Sequence, residues 1–229
     1  MNRPAGDVGE SDSRARAART KRNRTRAALL NAAGTAFATQ SWAATRVEDV
    51  AEAAGVSAAT AYNHFPTKHA LVAAVFAPHL TGLVAQAERD VAAGRPMVEA
   101  LSEQLSALAR LSYRHRGLMA AFTSAVFEYT IRVGGLADPT DEGDPRVIAP
   151  LLETVLLLVR HGQATGELRG QPSAADISGV IMNLLMIRSI NRPDEDPARG
   201  AELLRTVLFG ALCPELLVRE ELDDAAPSA

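Results

Sequence analysis

The residues of this chain best suited to bind an anion are the basic side chains near its N-terminus. Between Ser13 and Thr45 there are seven arginines or lysines and no acid, namely Arg14, Arg16, Arg19, Lys21, Arg22, Arg24 and Arg26. Positive side chains at this density attract the phosphates of a nucleic acid backbone. The same composition is equally typical of a disordered tail that keeps a protein soluble. The stretch by itself leaves both interpretations open.

The distribution of charge separates an N-terminal unit from the rest of the chain. Residues 1–69 contain ten basic and six acidic residues, a net charge of +4, whereas residues 70–229 contain fourteen and twenty-one, a net charge of −7. The two units should therefore have partners of opposite charge, and the N-terminal unit is the one suited to a polyanion.

Other chemistries lack the residues that they need. The one cysteine, Cys213, excludes an intrachain disulfide and a cysteine zinc site. We find no nucleophile elbow, phosphate loop or paired carboxylates, so we predict that the protein is not an enzyme and has no cofactor. The five histidines are scattered, so we also predict no metal site. The polar start and the lack of a run of about 20 apolar residues predict a cytoplasmic protein without a membrane span.

Two short helices and a tight turn are predicted behind the basic stretch. A first helix from about Thr20 would bury Leu30, Ala33 and Phe37 on one face. A second helix is predicted to begin at Thr45, because Thr45 and Glu48 have the spacing of a capping box. Its apolar stripe consists of Val47, Val50, Ala51 and Ala54.

The turn and the third helix complete a helix-turn-helix. Gly55 can take the positive φ that ends the second helix, and Val56 would plug the angle between the two helices. Ser57 is a good N-cap for a helix that runs to Phe65, where Pro66 ends it. Thr67 would then cap a fourth helix.

The remainder of the chain is also predicted to be helical, which makes the fold class all-α. Segments of roughly 15 to 22 residues alternate with Gly- and Pro-containing breaks, and none shows the period of two that indicates a strand. Asp144, Ser173 and Asp196 are each predicted to start a helix.

Residues 45–71 closely resemble the DNA-binding signature of the TetR family of transcriptional regulators, in the sequence TRVEDVAEAAGVSAATAYNHFPTKHAL. The specific features are A-G-V-S, then T-x-Y-x-H-F, then K-x-x-L. The resemblance implies a ligand-responsive repressor that binds a palindromic operator as a homodimer. A helical adaptor that binds proteins without sequence-specific DNA binding is the alternative. Two positions depart from the family pattern, since Arg46 stands where Thr is usual and Ala61 where a larger aliphatic residue is usual, a volume that Trp42 could fill.

The resemblance also implies roles for single residues in binding double-stranded DNA. Base edges would meet Ser57, Ala58, Ala59 and Asn63, of which Asn63 could pair bidentately with adenine. Contacts to phosphate or sugar would come from Thr60, Tyr62, His64 and Lys68, with Thr45 and Arg46 against the backbone.

We expect four regions. Composition predicts a disordered basic arm (1–18) and an acidic, Ala-rich tail (215–229), and the resemblance implies the helix-turn-helix domain (19–66) and a helical ligand-binding and dimerisation domain (67–214). A small, apolar effector would be bound by large or aromatic side chains, namely Met97, Leu101, Tyr113, Met119, Phe122, Phe127 and Tyr129. The dimer interface would consist of apolar stripes near the chain end, namely Ile177, Val180, Ile181, Leu184, Leu204, Val207, Leu208 and Ala211.

Overall fold

The structure is a computed structural model that describes the backbone of residues 7–213 and the side chains of residues 14–213. Within that range there are ten helices and no strand, so the all-α prediction is confirmed. The helices are α1 (Asp7–Thr39), α2 (Val47–Ala53), α3 (Ala58–His64), α4 (Lys68–Ala92), α5 (Met97–Arg114), α6 (Arg116–Val133), α7 (Pro145–Ile148), α8 (Glu153–Thr165), α9 (Ala174–Asn191) and α10 (Pro197–Leu212).

Side-chain caps fix the start of several helices where the sequence predicted them. The carboxylate of Asp144 accepts a hydrogen bond from Arg146 N at 2.8 Å, and that of Asp196 accepts one from Ala198 N at 2.9 Å. Ser173 caps α9 in the same way. These three predictions are confirmed, because a cap depends on neighbours in sequence and not on distant packing.

Helix α1 begins earlier than the sequence indicated. The arm at residues 1–18 was expected to be disordered, but its residues 7–18 continue α1, whose sequence is rich in the strong helix formers alanine and arginine. Residues 1–6 and the predicted tail lie outside the described residues. On the core face of α1, Ala33 and Phe37 are fully buried as expected, with Leu29 rather than the partly buried Leu30 beside them.

Helix α4 is the central helix of the protein, since it packs against α1, α5, α6, α7 and α8. It has 25 residues, and an 18-residue window within it has a mean hydropathy of 1.6, which would suit a membrane-spanning helix by length and composition. The burial of residues such as Leu71, Val72 and Phe76 explains the apolar composition of α4 in another way, because these side chains form the core of the helix bundle. Phe76 stacks there on Phe122 of α6 with ring centroids 4.5 Å apart.

Helix α6 approaches α1 closely at Gly117. A methyl group added at Gly117 would lie 2.9 Å from the carbonyl carbon of Ala38 and closer still to its oxygen. Real Cβ atoms are essentially never found so near to backbone, so only glycine lets these two backbones meet.

The predicted dimer interface is wrong for four of its residues. Ile177, Ile181, Leu204 and Leu208 are buried inside the protomer, because α9 and α10 use these stripes to pack on α5, α6 and α8. Leu184, Val207 and Ala211 are half-buried. Val180, which also belongs to the predicted interface, is 53% exposed, and Ile187 at 42% and Ile190 at 39% are the other large apolar residues exposed on α9.

Candidate nucleic-acid interface

Helices α2 and α3 are joined by the tight turn that the sequence predicted. Gly55 has φ = +70°, which ends α2, and Val56 N donates to Ala51 O at 2.9 Å. Ser57 begins α3, its Oγ accepting a hydrogen bond from Thr60 N at 3.2 Å. The buried side chains of Val50, Ala51 and Ala61 hold the two helices together. The helix-turn-helix and the Ser57 cap are thus confirmed.

The capping box that was expected at Thr45 is absent. Helix α2 begins at Val47, its N-cap residue is Arg46, and Arg46 makes no side-chain capping bond. Thr45 is buried, with its hydroxyl donating to Ser41 O at 3.1 Å in the preceding turn. Because that hydroxyl is used before the helix starts, Thr45 can neither cap α2 nor face a DNA backbone.

Glu48 contacts α3 instead of closing a capping box. The Tyr62 hydroxyl donates to Glu48 Oε1 at 3.1 Å, and Arg46 Nε lies 3.7 Å from Glu48 Oε2. Hydrogen bonds from its own backbone amide and from Tyr62 lower the pKa of Glu48, and the bond to Glu48 raises the pKa of Tyr62. Tyr62 is therefore a neutral phenol, held in place across the angle between α2 and α3.

The outer face of α3 offers polar groups to a ligand. Ala59, Tyr62 and Asn63 are exposed, and the Asn63 amide makes no hydrogen bond to any residue that the structure describes. The hydroxyls of Ser57 and Thr60 lie 2.9 Å apart and bond to each other. Asn63 is thus the side chain on this face with both a donor and an acceptor unused.

Basic residues of α1 flank the C-terminal end of α3. The Arg26 guanidinium lies 4.8 Å from the ring centroid of Phe65. The pKa of His64 is lowered by burial first and then by the charges of Arg22 and Arg26, which places both arginines beside it. His64 is therefore neutral at pH 7, and the positive potential on this side comes from α1.

Lys68 has its amine directed toward the protein. Lys68 Nζ donates to Trp42 O and lies 4.1 Å from the centroid of the Trp42 ring. Burial lowers the pKa of Lys68, against the opposing effect of the Glu128 carboxylate. The ammonium group of Lys68 thus binds the backbone of the turn that precedes α2.

Trp42 and Glu128 connect the helix-turn-helix to α6, a contact that the sequence analysis missed. Trp42 Nε1 donates to Glu128 Oε2 at 2.7 Å, and its ring stacks on Phe37 at 6.1 Å. Glu128 Oε1 also lies 3.3 Å from Nε2 of the buried His69, whose pKa burial lowers. Glu128 belongs to no motif, so only the three-dimensional arrangement reveals its role.

An apolar cavity of about 280 Å³ lies between α6, α8 and α9. Its lining includes Phe122, Val126, Leu151, Met182 and Met186. Of the seven predicted effector contacts, only Phe122 lines this cavity. The remaining six do not line it, and the buried ones among them, namely Met97, Leu101, Met119 and Tyr129, form part of the packed interior.

An ion pair lies at the edge of the cavity. Arg146 Nη2 is 2.7 Å from Oδ2 of the buried Asp144, and Arg146 Nη1 donates to Gly135 O at 3.0 Å. The Arg146 guanidinium also lies 5.7 Å from the ring centroid of Tyr129. The sequence analysis predicted Asp144 only as the start of a helix, because the other partners of Arg146 meet it through the fold. Among the residues described, no group of three His, Cys, Asp or Glu side chains could hold a metal ion.

This all-α fold and its exposed α3 define a protein with a helix-turn-helix DNA-binding domain. Residues 29–75 match the family model described as bacterial regulatory proteins, tetR family. No curated protein matches the chain in sequence. Residues 29–75 therefore carry a DNA-binding domain of this family, which contains the helix-turn-helix of α2 and α3.

Solved structures share the fold over most of the chain. The FadR repressor of Thermus thermophilus in complex with lauroyl-CoA is 24% identical, with a TM-score of 0.62 over 81% of this chain and 94% of that one. A TetR-family regulator from Rhodococcus sp. is 20% identical, with a TM-score of 0.58 over 82% and 98%. FadR from Bacillus subtilis in complex with stearoyl-CoA is 16% identical, with a TM-score of 0.58 over 79% and 96%.

Proposed function

We propose that this protein is a TetR-family transcriptional regulator, namely a cytoplasmic, ligand-responsive repressor that binds a palindromic operator as a homodimer. The observation that carries the proposal is the outer face of α3, where Asn63 is exposed with a free amide and the next residue, His64, lies beside Arg22 and Arg26 of α1. A free amide can distinguish bases, and a basic flank can neutralise phosphates.

Asn63 would form two hydrogen bonds to an adenine in the major groove, with Ser57, Ala58 and Ala59 beside it on the leading turn of α3. Thr60, Tyr62 and His64 would contact phosphate or sugar and set the register without selecting sequence. Arg46 is exposed at the start of α2 and suits the same role. Lys68 would take that role when its amine leaves the Trp42 carbonyl and binds a phosphate instead. Thr45 is not part of the proposal, because it is buried.

Dimerisation would use the exposed stripe of α9, with Leu184, Val207 and Ala211 at its margin. Val180, Ile187 and Ile190 are apolar yet exposed, and a second copy of the chain would bury them. Two heads related by a twofold axis would then contact half-sites about 34–36 Å apart, or a multiple of that distance.

The effector would occupy the apolar cavity. A volume of about 280 Å³ is near the lower end of the range of about 300–1,000 Å³ typical of ligand pockets. Proteins of the same fold were solved with lauroyl-CoA, with stearoyl-CoA and with resorcinol, each of which has an apolar chain or ring, and this supports an effector with an apolar part. Such a ligand would act by binding one arrangement of the two heads better than the other.

Fluorescence anisotropy with labelled DNA from the promoter region of the protein's own gene tests the proposal. We expect specific binding that persists at moderate salt, and a loss of about 1–3 kcal/mol for Asn63→Ala on that DNA. Asn191→Ala, at the exposed end of α9, is the matched control and should bind as the parent does. Binding no tighter than to unrelated DNA at every promoter fragment would instead support the protein adaptor.

A further inference from the structure

A groove between α4 and α5 collects positively charged and titratable side chains. Its volume is about 600 Å³, and it is lined by His79 of α4, Arg110 and Arg114 of α5, and His115 at the corner between α5 and α6. Leu83, Ala107, Leu111, Tyr113 and Pro197 complete the lining, so it contains no carboxylate. This groove is separate from the apolar cavity and shares no residue with it.

The two arginines of the groove have no internal partner. Arg110 and Arg114 are exposed, stand four residues apart on one face of α5, and make no ion pair with any residue that the structure describes. Like charges at this spacing repel each other. Elsewhere in the domain Arg95 pairs with Glu103 at 2.5 Å and Arg146 with Asp144 at 2.7 Å. The groove thus keeps two guanidinium groups available, although the fold pairs comparable groups nearby.

The two histidines of the groove add further donors. Their ring centroids are 4.2 Å apart. Burial first, and then the neighbouring charge of His115, lower the pKa of His79, and no acidic side chain opposes this. His79 is therefore neutral at pH 7 in the free protein, and an anion bound beside the two rings would stabilise its protonated form.

Three acids close to the groove have partners outside it. Tyr113 donates to Glu195 at 2.7 Å, and Glu195 pairs with Arg188. A neighbouring groove shares Arg110 and contains Asp90 and Glu103, which both pair with Arg95. These carboxylates consequently do not supply a counter-charge inside the groove.

A second hollow of about 560 Å³ meets the groove at the helix corner. It shares His79, Tyr113, Arg114 and His115 with the groove and contains no carboxylate. Arg116 extends the positive surface there, although it lies 3.8 Å from the exposed Asp194. The combined space can hold a group larger than a single phosphate.

We propose that this groove binds the phosphate or pyrophosphate group of a small ligand. Arg110 and Arg114 are the permanently charged donors. The imidazoles of His79 and His115 are the donors from the facing side. Guanidinium groups match phosphate oxygens bidentately, which suits a dianion better than a monovalent ion. The inference goes beyond DNA binding and beyond the apolar effector site, because it rests on neither.

Imidazole-detected ¹H–¹⁵N NMR of the full chain without DNA tests the proposal. The protein is titrated with inorganic pyrophosphate, and separately with a phosphate monoester, at constant ionic strength and with EDTA present. We expect shifts of the His79 and His115 resonances and a rise of about one unit in the pKa of His79, equivalent to about tenfold tighter binding to its protonated form. His161 of α8, outside the groove, should not respond.

Arg110→Gln with Arg114→Gln should weaken pyrophosphate binding at least about tenfold, since the charged fork supplies the phosphate contacts. Arg160→Gln removes an exposed arginine of α8 and is the matched control. The proposal is overturned if His79 and His115 do not respond up to 10 mM ligand, a concentration of about 10⁴ times a micromolar dissociation constant. It is equally overturned if His161 responds alike, or if both sets of variants bind as the parent does.

Discussion

Replacing Gly117 with alanine should strain the contact between α6 and α1. The added methyl would lie 2.9 Å from the carbonyl carbon of Ala38 and nearer to its oxygen, so the two helices must move apart by about 1 Å to restore ordinary contact. Overpacking of this kind costs about 1–3 kcal/mol, and removing a glycine from a helix returns about 0.5–1 kcal/mol. We therefore expect the free energy of unfolding to fall by about 1–2 kcal/mol.

Urea unfolding followed by circular dichroism measures this difference, with Gly82→Ala as the control. Gly82 lies within α4, and a methyl group there would meet nothing within 4 Å. Gly82→Ala should accordingly stabilise the protein by about 0.5–1 kcal/mol. If Gly117→Ala proved as stable as Gly82→Ala, with an unchanged dependence on urea, the close approach of α6 to α1 would be refuted.

Three other changes test separate parts of the structure. Ser57→Ala removes the N-cap of α3 and should cost about 1 kcal/mol in urea unfolding, whereas an unchanged midpoint would contradict the cap. Stability should fall as the pH drops below about 6.5, because the lowered pKa values of His69 and His79 mean that the unfolded chain binds more protons than the folded one. His79→Gln should reduce this slope, and a slope equal to that of the parent would contradict the assignment. Val180→Glu with Ile187→Glu should yield a folded monomer in analytical ultracentrifugation, and a persistent dimer would exclude this face of α9.

Local chemistry explains which parts of the fold were predictable. The turn at Gly55 and the caps at Ser57 and Asp144 depend on residues within a few positions of each other, so the sequence pattern was sufficient. The same kind of pattern failed at Thr45, whose hydroxyl bonds to Ser41 in a turn before the helix starts. A pattern of spacing does not reveal a competing local partner.

Features that depend on packing between distant segments were not predictable. Helix α9 is apolar on several faces, so its sequence does not indicate that Ile181 points to the protomer core while its neighbour Val180 is exposed. The cavity brings Phe122 of α6 together with Met182 of α9, and that meeting depends on the whole bundle. The bond between Trp42 and Glu128 spans 86 residues of sequence and follows no motif.

The length of α1 determines how far its N-terminal end moves when its contact with α6 shifts. At about 1.5 Å per residue its 33 residues extend for about 50 Å, from the basic N-terminal part to Ala38 beside Gly117. If α1 pivots as a rigid rod at Ala38, a tilt of only about 5° displaces Arg14 by about 3 Å. That displacement is about as long as a hydrogen bond. A small rotation of α6 at this contact would therefore move the far arginines by that distance relative to DNA bound in the proposed way.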